Sequence, residues 1–140
     1  MTKVGWWLAG AALPVAIWPA LDWSQAIALA LTQMWFERTG HMPSWTETAT
    51  VEVTFAILLA AVSGLVLFAA LRAVKKAGAP NGVGWLAAAL SVVILLVAAR
   101  AALGVSVAAV ISRSAPGLAM AGGAVLAQLW RRQRVSPVAD

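Results

Sequence analysis

Residues 51–71 read VEVTFAILLAAVSGLVLFAAL, and residues 72–76 follow as RAVKK. About 20 mostly apolar residues at 1.5 Å each match a hydrocarbon core of roughly 30 Å. Within lipid no water satisfies backbone N–H and C=O groups, so such a run crosses as a helix. The basic cluster behind it marks the end that stays on the cytoplasmic side. The same grammar recurs along the chain. Lys3 precedes an apolar run from about 4 to 21, and Arg131, Arg132 and Arg134 close a run that starts near 116. Trp85 opens another run, which ends at Arg100. The reading is an all-α, polytopic integral membrane protein in one helical domain, with about four membrane helices. Basic residues at alternate junctions place both termini inside (N-in/C-in). The expected spans are 4–21 (or a longer 4–36), 51–71, 84–100 and 116–131, with an outer loop at 37–50 and an inner loop at 72–83.

Composition supports lipid as the solvent. Of 140 residues, 62% are hydrophobic and 11% charged, and the mean hydropathy is +0.87. A soluble domain has roughly 45–50% apolar and 25% charged residues. The net charge of +5 sits mainly at span edges, where anionic headgroups attract Lys and Arg. It forms no extended stripe with stacking aromatics, which argues against nucleic acid as a partner. Cysteine is absent and tryptophan occurs eight times. Disulfides and thiolate chemistry are thereby excluded. Trp6, Trp7, Trp23, Trp35, Trp45, Trp85 and Trp130 fall near segment ends, as interfacial belts do.

Two regions read ambiguously. In the first, Pro14 and Pro19 each remove a helix hydrogen bond, and Asp22 or Ser24 is a candidate cap for a second helix. Residues 22–36 then form either an extension of the first span or a helix lying in the outer interface. A cleaved signal over residues 1–30 is the rival, but Pro19 and Asp22 interrupt its core, so an uncleaved anchor is expected. In the second region, residues 101–112 are too short to cross alone. They either extend the third helix or lie at the outer surface. Arg113-Ser114-Ala115-Pro116-Gly117 reads as a break, with Pro116 opening the fourth helix. Residues 135–140 read as a frayed tail. An internal echo also appears: Ala60, Ala61, Ser63, Leu67, Arg72 and Ala73 recur at a constant offset as Ala88, Ala89, Ser91, Leu95, Arg100 and Ala101.

Chemistry-bearing residues are few. The carboxylates are Asp22, Glu37, Glu47, Glu52 and Asp140, and none falls mid-span, where ion and proton pathways place them. Asp22 and Glu52 come nearest, and Arg100 or Arg113 is a candidate ion-pair partner for Glu52. His41 is the single histidine. A haem would need an axial ligand at membrane depth. Zinc would want a second or third His or an acid at helical spacing, and Glu37 with His41 gives only two ligands on a helix that Gly40 disfavours, so neither a cofactor nor a metal is expected. No nucleophile–base pair or phosphate loop is present, and the chain is read as not an enzyme. Small multidrug exporters share the size and span count but carry a membrane glutamate that is missing here, so no family resemblance is drawn.

Small residues carry the remaining signal. Ala60 and Gly64 are four apart, as are Gly104 and Ala108, and Ala119, Gly123 and Ala127. Such stripes let membrane helices approach closely. The expectation is a small, non-catalytic, multi-pass protein of a bacterial inner membrane, an accessory or assembly subunit packing on other membrane protein subunits of a larger complex. The alternative is a small homo-oligomeric channel, transporter or holin-like pore.

Overall fold

The computed structural model describes residues 2–130, and within them the side chains of residues 20–25 and 28 are left aside. Four helices and no strand make up this part: α1 (Lys3–Thr39), α2 (Trp45–Lys76), α3 (Val83–Ala102) and α4 (Val107–Leu129). Three of them, α2, α3 and α4, are long and apolar enough to cross a membrane, one fewer than expected. In α1, Gly5, Trp6, Trp7, Gly10, Pro14 and Pro19 dilute the apolar run. The tail at 135–140 and the cluster Arg131, Arg132 and Arg134 lie outside the described residues.

The helix boundaries correct several expectations. α1 is one helix of 37 residues with both prolines inside it, so residues 22–36 extend the first helix, as in the longer 4–36 reading, and the alternative of a separate second helix after Pro19 falls. Pro14 is tolerated because its ring is fully buried, on the same face as Gly10 one turn earlier. A glycine in the left-handed region, Gly40 at φ 65°, stops α1, and its N–H donates to the Phe36 carbonyl. The 37–50 segment is therefore mostly helical, and the connection is only residues 40–44. Ser44 opens α2 with a capping box. Its Oγ accepts from the Glu47 N–H at 3.3 Å, while its own N–H donates to Glu47 Oε2 at 2.8 Å. The basic connection likewise shrinks to 77–82, because α2 runs on to Lys76.

The largest correction concerns the fourth helix. α3 ends at Ala102, and a four-residue turn with Gly104 at φ 87° leads to Ser106, whose Oγ accepts from the Ala109 N–H at 3.0 Å. α4 thus starts at Val107, and Pro116 lies inside it rather than at its start. Residues 107–112 are its first turns, not an extension of α3. Proline inside a helix is accepted where neighbouring helices cover the disturbed turn, and Pro116 is buried.

α4 packs along both α2 and α3, and α1 lies against α3 and α2. Leu67, Leu71, Ala87, Ala88, Met120, Ala124 and Ala127 form the central cluster, with Leu13 and Ile17 of α1 packed against it. One end of the bundle carries Lys3, Arg72, Lys75, Lys76 and the 77–82 turn, and is called the basic end below. The 40–44 and 103–106 turns lie at the far end. At 1.5 Å per residue, α3 and α4 measure about 30 and 34 Å, whereas α2 and α1 reach about 48 and 55 Å. The excess of α1 projects at the far end, because its first half is anchored at the basic end through Trp7 against Gly82 and Gly10 against Val83.

Candidate helix-contact and polar sites

The bundle is small inside and large outside. Alanines 56, 60, 87, 88, 98, 102, 109, 121, 124 and 127 are buried, whereas Leu65 (67% exposed), Leu96 (60%) and Leu118 (66%) face outward with many valines. A soluble protein rarely leaves so continuous an apolar surface uncovered. In a bilayer the acyl chains cover it, and helices associate through close packing of small residues.

At the α2–α4 seam backbone packs directly on backbone. A Cβ built on Gly64 would stand 2.8 Å from the Ala119 carbonyl oxygen, and one built on Gly123 would overlap the Gly64 carbonyl oxygen. Ala60 and Ala127 are buried along the same side. Ala119 and Gly123 are therefore occupied within the chain by Gly64 of α2, and Ala127 belongs to the central cluster with Leu67 and Leu71. Ala108 is half-buried near the start of α4. Gly104 stands apart from the set: it lies in the turn, with nothing within 4 Å of its Cβ position. A second close approach falls at the sequence that reads as a break. A Cβ on Gly117 would sit 2.8 Å from Leu95 Cα, so at Pro116-Gly117 the backbones of α3 and α4 approach closely. The internal echo has a partial counterpart: Ala60 and Ser63 of α2 and Ala88 and Ser91 of α3 are buried. Both serines satisfy their hydroxyls on the preceding turn, Ser63 on the Leu59 carbonyl at 2.7 Å and Ser91 on the Ala87 carbonyl at 2.8 Å.

Polar contacts tie α2 to α4 on both sides of that seam. Towards the far end, half-buried Glu52 accepts from Ser112 Oγ at 3.2 Å, and Ser112 also lies 3.2 Å from the Ala109 carbonyl. One hydroxyl proton serves one of these acceptors at a time. Arg100 and Arg113 are exposed, and no ion pair joins either of them to Glu52 among the described residues. Asp22 lies among the undescribed side chains. At the basic end, Lys75 Nζ donates to Gln128 Oε1 at 2.9 Å, and Gln128 Nε2 donates to the Asn81 carbonyl at 2.7 Å. Gly84 lets this amide through, since a Cβ there would collide with it. This clamp joins α2, α4 and the connecting turn, and sequence reasoning missed it. Its signal is Gln128 itself, the lone polar residue between Leu118 and Trp130.

A pocket of about 10 Å³ beside Lys75, Val83 and Gln128 has room for about one water. A wider groove of about 500 Å³ opens at the basic end between Phe68, Arg72, Lys76 and Trp130. Among the described residues, no three His, Asp or Glu side chains come together to hold a metal. Set against protein families, characterised proteins and solved structures, the chain matches none.

Proposed function

We propose that this protein is a non-catalytic accessory or assembly subunit that docks through the uncovered half of α1 onto a larger membrane complex. Between residues 26 and 39 every described side chain except Thr32 is exposed, including Ile27, Leu29, Leu31, Met34, Trp35 and Phe36. That half of α1 runs past the ends of α3 and α4, so its last turns stand beyond a hydrocarbon layer of about 30 Å. Met42 and Trp45, also exposed, lie beside it in the turn and at the start of α2. Large apolar side chains held beyond the acyl chains call for an interface, which a partner subunit supplies. The stripe on α4 is spent on α2, and this leaves α1 as the docking element.

The proposal includes the setting. The chain sits in a bacterial inner membrane with α1 as a fourth crossing and the basic end in the cytoplasm. Lys3, Arg72, Lys75 and Lys76 at that end favour this orientation, because Lys and Arg are retained on the cytoplasmic side. Arg131, Arg132 and Arg134 continue the bias in sequence.

A photo-crosslinking residue at Met34 tests the reading, with one at Leu65 on the outer face of α2 as control. The expected product is one discrete adduct to a different, larger membrane protein from position 34, and a matching large species on a native gel. Adducts solely between copies of this chain would replace the subunit reading with a homo-oligomeric channel, transporter or holin-like pore.

A further inference from the structure

We infer that the groove at the basic end is a binding site for the headgroup and upper acyl chains of an anionic phospholipid. Its lining is ordered as a phospholipid is ordered. Phe68, Arg72 and Lys76 succeed one another at every fourth residue of α2 and so lie on one face, running from apolar to doubly cationic over about 12 Å. Ala69 and Ala73 keep the floor low, and Trp130, just past the end of α4, forms the opposite wall. The opening of about 500 Å³ falls within the size of ordinary ligand sites.

Arg72 is held ready. The Arg72 guanidinium lies over the Trp130 ring, 6.0 Å from its centroid, and that ring is steadied edge-on by Phe68 at 6.5 Å. This cation–π contact restrains a side chain whose forked donors match phosphate oxygens in pairs. Lys76, exposed one turn further on, adds a second donor and charge. Lys75 is engaged with Gln128, so the charge at the groove comes from Arg72 and Lys76. No described carboxylate competes for them. Glu52, on the same helix, is 20 positions from Arg72, or about 30 Å along the axis, and Glu37 and Glu47 lie at the far end. A free phosphate would use the two cations but leave Phe68 and the alanine floor without purpose. A phospholipid uses both levels of the groove.

Native mass spectrometry of the full chain released from detergent micelles tests this, with dioleoyl phosphatidylglycerol titrated against dioleoyl phosphatidylcholine. The wild type is expected to retain phosphatidylglycerol preferentially. Each lost cation should weaken that binding by roughly fivefold, so the double variant Arg72→Gln/Lys76→Gln should lose about 25-fold. Ala73→Leu fills the groove without changing charge and should weaken both lipids. Lys3→Gln, a lost charge at the same end but outside the groove, should change affinity by less than about twofold. Far-UV circular dichroism confirms that each variant retains its helix content. Three results would each overturn the site: unchanged selectivity in the double variant, an equal loss in Lys3→Gln, or full displacement of the lipid by glycerol 3-phosphate.

Discussion

Gly122 and Gly123 are neighbours in α4 with opposite surroundings, and replacing each by alanine isolates the α2–α4 seam. A Cβ on Gly122 meets nothing within 4 Å, whereas one on Gly123 overlaps the Gly64 carbonyl oxygen. Alanine in a helix interior is favoured over glycine by about 0.5–1 kcal/mol, so Gly122→Ala should stabilise by about that amount. Gly123→Ala receives the same gain, but against a steric cost. Overpacking usually costs about 1–3 kcal/mol, and the obstacle here is backbone on a facing helix, which places it near the top of that range. Relief by separating the helices sacrifices dispersion instead, since a gap of about 0.5–1 Å forfeits a quarter to a half of each contact. The net expectation is a loss of about 2 kcal/mol for Gly123→Ala. The two variants should therefore differ by about 3 kcal/mol, or about 150-fold in the folded-to-unfolded ratio. Unfolding by sodium dodecyl sulfate from dodecyl maltoside micelles, followed by far-UV circular dichroism, reads this difference. Because the seam lies within one chain, the midpoints should not move with protein concentration. Equal midpoints for the two variants would refute the seam, and a concentration-dependent gap would transfer the contact to an interface between copies.

Further consequences follow from the polar contacts and the topology. Ser112→Ala removes the hydroxyl on Glu52 and should cost about 0.6 kcal/mol, the usual scale for hydrogen bonds between membrane helices, in the same unfolding assay. Gln128→Leu removes the hydrogen bonds to the Lys75 ammonium and the Asn81 carbonyl and should cost about 1–3 kcal/mol. Hydrogen exchange at residues 77–82 should speed up selectively. The chain has no cysteine, so single cysteines at Met42, Val105 and Asn81 can be probed with a membrane-impermeant thiol reagent. In right-side-out vesicles, positions 42 and 105 should label and position 81 should not. Labelling at 81 alone would invert the proposed orientation.

Much of the architecture is legible in the residues themselves. The run 51–71 needs no partner to be read as a helix in lipid, because a backbone without water must bond to itself. The capping box at Ser44-Trp45-Thr46-Glu47 is a local signature too. It lies within a segment whose polarity reads as a loop, and this is why the start of α2 falls six residues before the expected Val51. Polarity reports where a helix leaves lipid, whereas caps report where it begins, and at α2 the two differ.

The sites needed the third dimension. Ala119, Gly123 and Ala127 form a stripe by periodicity alone, but a stripe carries no information about which surface meets it. Only the folding of α4 between α2 and α3 assigns it to Gly64. Pro116-Gly117 shows the same division. Taken locally, a proline that lacks a donor and a glycine that favours other conformations signal the end of a helix. Once α3 is present, the missing Cβ of Gly117 lets Leu95 approach at 2.8 Å from where that atom would stand, and burial covers the disturbed turn. Helix formation in lipid is settled by each segment's own apolarity and backbone bonding, which sequence records. Contact between helices depends on matching two surfaces far apart in the chain, and only the tertiary structure decides that.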